Sequence, residues 1–372
     1  MTSAEPNELV QAVAGYGLPG TPASLSCDAL PDPAWANLLD LVRVQRVTGF
    51  LIQAVDDGAL PARADQAVEA ALAHRVEMSW ALLIEDFLLD TARRLTDAGI
   101  AFRVLKGTTA AHLDYPSLEL RSFGDVDLLV RSEQFDAAVA SLLAAGHRRR
   151  FPQPRPGFDR RFSKGTSFVA HDGKEIDLHR TFVMGSFGLT IKLDDLWARS
   201  SSYLLGDVVL HGLAREERFL NACFHATLGD HPPRLVAMRD VAQLVLGGHL
   251  DLHLVRALAA SWRSDVVVAR ALQLAWQAFD LNAAASPLAA WALDYEANAH
   301  ELRALAAYTD PEGGYAARSA AGLRAVAGVR DKAAYLRALA FPTRDYVEPR
   351  YHGRVHRWRR GAAAVLRRAE RP

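Results

Sequence analysis

The sequence predicts an α+β fold: a small mixed sheet in mid-chain, with helices before and after it. Three observations predict this. Two-residue apolar alternation is confined to short segments between residues 100 and 211. Longer apolar patterns of 3.6-residue period fill the flanking thirds. An Asp172-Gly173 turn joins two alternating segments, a strong hairpin signal.

At 372 residues the chain exceeds one typical domain. It divides most naturally into a helical segment at 1–98, a sheet-bearing core at 99–212 and a helical domain at 213–372. Residues 1–32 carry scattered Pro, Gly and Ser around a short apolar piece, Leu9 to Val13, and read as a loosely packed arm. Trp35 to Val55 reads as one helix, with Asp32 and Pro33 as start signals and Asp57-Gly58 and Pro61 as breakers. A long helix follows over 62–98, closed by Gly99, and its second half around Trp80 is apolar enough to lie on a sheet.

Ile100 to Leu105 is predicted as a strand, Lys106-Gly107-Thr108-Thr109 as a turn, and Ala110 onward as a short helix stopped by Tyr115-Pro116. A strand over 125–130, a helix over 133–145 and a short strand over 148–151 come next. The hairpin pairs 165–170 with 175–179, and a last short strand spans Asp207 to His211. From Arg215 every pattern is helical: 215–228, 234–246, 251–260, 264–279, 287–305 and 314–340. Trp80, Trp262, Trp276 and Trp291 fall at helical apolar spacing and read as core rather than as base-stacking platforms. The arginine-rich tail, Arg350 to Arg371, is either a solvated helix end or a nucleotide- or RNA-contacting segment.

Composition narrows the function classes. Lysine plus arginine equals aspartate plus glutamate, 43 each, so overall charge points to neither nucleic acid nor membrane. No apolar run is long enough to span a bilayer, and the start of the chain lacks a basic-then-apolar leader pattern. Cys27 and Cys223 have no paired spacing, which disfavours a disulfide framework and fits a reducing cytoplasm.

The chemistry concentrates at Gly124-Asp125-Val126-Asp127-Leu128-Leu129-Val130. On a strand, Asp125 and Asp127 project to one side, roughly 6–7 Å apart. Two carboxylates that close repel each other, and a divalent cation between them removes the repulsion. The plain alternative is a strand end with two solvated acids. In Ile176-Asp177-Leu178-His179 the apolar residues face one way, and Asp177 and His179 the other. Gly107 and Thr108 lie at a strand-to-helix turn whose backbone N–H groups favour anions; the alternative is an ordinary helix start. Lys106 either pairs with a phosphate or snorkels from a strand end. Arg121 either contacts phosphate or holds the Gly124 turn. His179 supports Asp177, belongs to an acceptor site, or is a satisfied polar residue on the sheet. His225 and Asp240, both in helices, read as structural.

Taken together, the turn, the Asp-x-Asp strand and the later Asp177 resemble the nucleotidyltransferase superfamily with the DNA-polymerase-β-like fold. The closer resemblance is to the bacterial uncharacterised nucleotidyltransferase family. It rests on Leu105-Lys106-Gly107, Tyr115-Pro116, Arg121 with Gly124 to Val130, and Ile176 to His179. Phe224-His225, Arg239-Asp240 and Phe341-Pro342-Thr343 extend it over roughly residues 35–350. One departure is that Lys106-Gly107-Thr108 stands where the superfamily has Gly-Gly or Gly-Ser.

The resemblance implies Mg²⁺-dependent transfer of an NMP from an NTP to a hydroxyl, with release of pyrophosphate; Mn²⁺ can substitute. Asp125, Asp127 and Asp177 would be the metal-binding and catalytic acids. Lys106, Gly107, Thr108, Arg121 and Gly124 would meet the nucleotide. The acceptor would be a small molecule or a peptide or protein, with nucleic acid ranked lower and membrane excluded. The rival readings are an inert nucleotide-binding or scaffold relative and a toxin-type transferase acting on a protein or tRNA.

Overall fold

The structure is a computed structural model, and it describes residues 6–26, 28–309 and 314–351. Among these, seven strands form one mixed sheet: β1 (Phe102–Val104), β2 (Val126–Val130), β3 (Arg148–Arg149), β4 (Gly165–Val169), β5 (Glu175–His179), β6 (Ser201–Leu205) and β7 (Val208–Gly212). Their order is β3-β4-β5-β2-β1-β7-β6. The contacts β2/β5 and β1/β7, on either side of the central antiparallel pair β2/β1, are parallel, and all others are antiparallel.

The alternation in β2 sorts its side chains onto two faces. Val126, Leu128 and Val130 pack with Ile84, Leu88 and Leu95 of the helix Ala64–Asp97 and with Phe135 and Leu142 of the helix Phe135–Ala144. Burying that stripe is what holds the long helix on the sheet, at about 25 cal/mol per Å² of apolar surface removed from water. Leu129, on the other face, joins a larger core. That core runs through Trp35, Phe50, Phe224, Trp262 and Trp276, so the helices before and after the sheet share one apolar interior. Gly165 is required where β4 meets β5, because a Cβ there would sit 1.9 Å from the Leu178 carbonyl oxygen.

Several elements depart from the sequence expectation. The supposed arm contains a helix, Pro6–Gly15, with Val13 and Ala14 fully buried. Arg239 Nη1 donates to the carbonyls of Ala14 and Tyr16 at 2.8 and 2.7 Å, which fixes the end of that helix to the helix Leu235–Leu246. Composition averaged over 1–32 hid the stripe Val10, Val13, Ala14. The helix expected over 35–55 is two, Asp32–Val44 and Thr48–Asp56, broken where Arg46 takes φ 57°. The expected 314–340 helix likewise splits into Gly314–Ala325 and Val329–Ala340 around Gly328. The helix after the Lys106-Gly107 turn begins at Thr108, two residues early.

Strand β6 was not anticipated: its polar Ser201-Ser202 start masks the inward pair Tyr203 and Leu205. Trp262 and Trp276 are core as expected, but Trp80 is 40% exposed and donates to the Gly124 carbonyl at 3.4 Å. Trp291 is half-buried beneath the Arg256 guanidinium. Phe341-Pro342-Thr343 clasps the proline-rich loop: Thr343 N donates to the Pro154 carbonyl, and Arg155 Nε donates to that of Phe341. Cys223 is buried, while Cys27 and the arginine-rich tail from residue 352 lie outside the described residues.

Candidate metal and nucleotide site

The site begins with strand register. In the parallel pair β2/β5, Asp127 stands directly beside Asp177, and in β4/β5 Ser167 stands beside Asp177. His179, two residues along β5, shares their face. Asp127, Asp177 and His179 each offer a ligand atom, and these atoms lie within 4.8 Å of one another.

Asp127 is 3% exposed, yet both its oxygens are served. Lys106 Nζ lies 2.9 Å from Oδ2, and His179 Nε2 lies 2.7 Å from Oδ1. Burial alone would raise its pKa; Lys106 and His179 outweigh burial and hold the carboxyl well below the usual range. Asp177 accepts from the Ser167 hydroxyl and lies 3.5 Å from Lys164 Nζ. There too burial is outweighed, by Lys164 and His179, and the carboxyl stays ionised below its ordinary pKa. Burial would depress the Lys106 ammonium, but Asp127, Asp125 and Asp177 together raise it, so it stays charged.

His179 is pushed down by burial and by Lys164, which favours the neutral ring. Its Nδ1 lies 3.4 Å from the Thr181 carbonyl, so both ring nitrogens face acceptors. A neutral ring has one N–H and can serve one of them. With the proton on Nε2 it donates to Asp127; with the proton on Nδ1 its Nε2 lone pair is free to ligate a cation.

Asp125 sits one residue ahead of β2 and outside that group. Its pKa is raised, first by the Asp127 charge and then by burial. It lines the same cleft, a space of about 460 Å³ between the sheet and the helices. Of the nucleotide-contact candidates, Lys106 and Gly107 are on the wall. Gly107 takes φ 63°, and a Cβ there would come within 3.2 Å of Phe123. That keeps the turn tight against the segment leading into β2.

Thr108 is buried and off the cleft wall, and the helix it opens has six residues, too short for a large terminal dipole. Arg121 reaches the wall but is 3% exposed and forms a fork with Asp240, at 2.8 and 2.9 Å. Tyr115 donates to the same carboxylate at 2.6 Å. Gly124 is held by the Trp80 contact. Besides Lys106, the positive charge around the acids comes from side chains the sequence did not single out: Arg46, Lys164, Arg234 and Arg318 line the cleft. They come from a helix break, a strand end and two helical regions. No local periodicity marks them.

The geometry can be set beside known proteins. The model of the uncharacterised nucleotidyltransferase family matches residues 31–280, which is more than half the chain. The chain belongs to that family. The matched stretch contains β1, β2 and β5 and every residue of the site except Arg318. Among solved structures, this nucleotidyltransferase-family chain is similar to an antigenic nucleotidyltransferase-like protein from Paracoccidioides brasiliensis, at 13% identity and a TM-score of 0.33. That match covers 55% of this chain and 95% of the other. No curated protein matches the sequence.

The donor set suits a divalent cation. Two ionised carboxylates meet the oxygen preference of Mg²⁺, and the added imidazole suits Mn²⁺ as well. No helix among the described residues is long and apolar enough to cross a membrane.

Proposed function

We propose that this protein catalyses divalent-metal-dependent nucleotidyl transfer: an NMP moves from an NTP to a hydroxyl acceptor, and pyrophosphate leaves. The observation that carries this reading is the side-by-side placement of Asp127 and Asp177 on β2 and β5, facing a cleft lined with cations. In the reading, Asp127 and Asp177 hold the metal, with His179 as a third donor in its Nδ1–H form. Asp125, which lines the same cleft, would act on a second ion or on the substrate. The metal, Mg²⁺ or Mn²⁺, would neutralise charge that develops on the α-phosphoryl and pyrophosphate oxygens.

The chain's own groups supply the rest. Lys106, Arg46, Arg234 and Arg318 fix the triphosphate by charge, and Gly107, with no side chain, lets the backbone approach it. Asp177, which accepts from Ser167, would orient an acceptor hydroxyl and take its proton. The bond from acceptor oxygen to α-phosphorus forms as the bond to the pyrophosphate oxygen breaks. The sheet-bearing part, 99–212, would carry the chemistry, while the helices at 1–98 and 213–372 wall the cleft and choose the acceptor. Small-molecule, peptide and protein hydroxyls fit this description best; the neutral overall charge supports no nucleic-acid preference.

The test is incubation of purified protein with each labelled NTP, Mg²⁺ and a cell extract, followed by mass spectrometry. An extract component heavier by one NMP, absent with D127N, supports the proposal. Binding of NTP with no pyrophosphate release in any extract favours the inert relative instead.

A further inference from the structure

Asp127, the most deeply buried acid of the site, is already neutralised. Lys106 Nζ holds Oδ2 at 2.9 Å, and the Lys106 side chain is 23% exposed, on the cleft side. A divalent cation bridging Asp127 and Asp177 would have to share Asp127 with this ammonium. Two cations within a few ångströms of one carboxylate repel each other strongly in a site shielded from water. The metal and the lysine therefore compete for Asp127.

The Lys106 main chain is held on both sides, by Leu105 N donating to the Asp127 carbonyl at 3.0 Å and by the buried helix that opens at Thr108, and does not yield. The four-carbon stem can, and the ammonium is a point charge with no fixed geometry to preserve. Where it would go depends on what else is bound. Outside the Asp127–Asp177 pair the cleft's acids are Asp125 and Asp230, and these already face Arg46 and Arg234, so without an anion a displaced ammonium gains little there. With a triphosphate in the cleft it gains an anionic partner.

We propose that Lys106 is a resident cation that occupies the metal's place on Asp127 in the nucleotide-free protein and moves onto the triphosphate when metal and nucleotide bind together. This rests on the metal-dependent reading above. It has a thermodynamic consequence independent of turnover. Metal alone binds weakly, because it must expel Lys106 into a cleft whose remaining acids already have arginine neighbours. Nucleotide strengthens metal binding, and metal strengthens nucleotide binding by the same factor.

The test is Mn²⁺ binding, read from the loss of the free-ion electron paramagnetic resonance signal. It is run with and without a non-hydrolysable NTP analogue, on wild type, K106M, K106R and D127N. K106M should bind Mn²⁺ without nucleotide about tenfold more tightly than wild type, and the enhancement by nucleotide should shrink toward one. K106R keeps the charge and should stay within about threefold of wild type. D127N should lose the ion in both conditions. If K106M proves poorly folded, K106R still tests the proposal, because a charge-retaining variant that binds free Mn²⁺ tenfold tighter overturns it. K106M binding no tighter than wild type overturns the lysine exchange while leaving the metal site standing, provided D127N still abolishes binding. Absence of Mn²⁺ binding in wild type under both conditions overturns both.

Discussion

Two sets of buried acids in this molecule are neutralised in different ways. Asp240 and Asp114 are each gripped by an arginine fork: Arg121 on Asp240, and Arg218 on Asp114 with contacts of 2.7 to 3.2 Å. Their other partners are protein groups too, Tyr115 for Asp240 and, through Arg218, Ser201 and the Leu213 carbonyl. Asp127 and Asp177 are instead served by lysines, each through a single Nζ, and both open onto a cleft. A guanidinium fork fixes angle as well as charge and has no cheap substitute. A lysine supplies charge alone, which another cation can replace. The first arrangement holds the helices to the sheet; the second is suited to exchange.

That contrast can be broken by substitution. The largest effect belongs to the exchangeable set, in activity: D127N should lower nucleotidyl transfer by about a thousandfold, measured as pyrophosphate release. The same variant should also lower stability, by about 1–3 kcal/mol in urea unfolding, because it removes the charge that Lys106 and His179 hold, while the part-exposed Lys106 ammonium can still turn toward the cleft. D240N should act mainly on stability, and more strongly. Removing one partner of a buried pair leaves Arg121 unpaired, and urea unfolding should register a loss of about 3–5 kcal/mol. A D240N protein as stable as wild type would remove the distinction.

R218K sharpens the comparison at smaller scale. Lysine keeps the charge beside Asp114 but cannot also reach Ser201 and the Leu213 carbonyl, so a loss of about 1–3 kcal/mol is expected in the same assay. The smallest effect at neutral pH concerns His225, which lines the cleft beside Lys106. Burial, then the Lys106 charge, lower its pKa from 6.5 to about 3. The unfolded chain takes a proton that the folded one refuses, so His225 costs nothing above pH 6.5. Below that, stability falls by at most about 1.4 kcal/mol per pH unit as pH drops toward 3. H225Q should flatten the stability profile over that window by up to this slope.

Much of the fold was legible because it is encoded locally. The alternation in 126–130 and 175–179 and the Asp172-Gly173 turn are read within a few residues, and β2, β4 and β5 stand where those signals put them. So do the long helix over 64–97 and the helical run from Arg215. The pairing of Asp127 with Asp177 depends on register across fifty residues, and the periodicity could say only which face each acid occupies. The rest of the site was out of reach for the same reason. Arg46, Arg234 and Arg318 meet the acids only through tertiary packing. Arg121 looked free until Asp240, more than a hundred residues later, was found beneath it. Thr108 carried the expected hydroxyl but turned into the core. The helix Pro6–Gly15 was missed because turn-rich neighbours diluted a short apolar stripe.

The central claim is that Asp127 and Asp177 form one cation site. A crystal of the protein grown with Mn²⁺ and a non-hydrolysable NTP analogue, with data collected at the manganese absorption edge, tests it most directly. The account predicts an anomalous peak between the Asp127 and Asp177 carboxylates, with the triphosphate beside it. A peak elsewhere, or nucleotide bound while those two carboxylates still hold only Lys106, His179, Ser167 and Lys164, would contradict it.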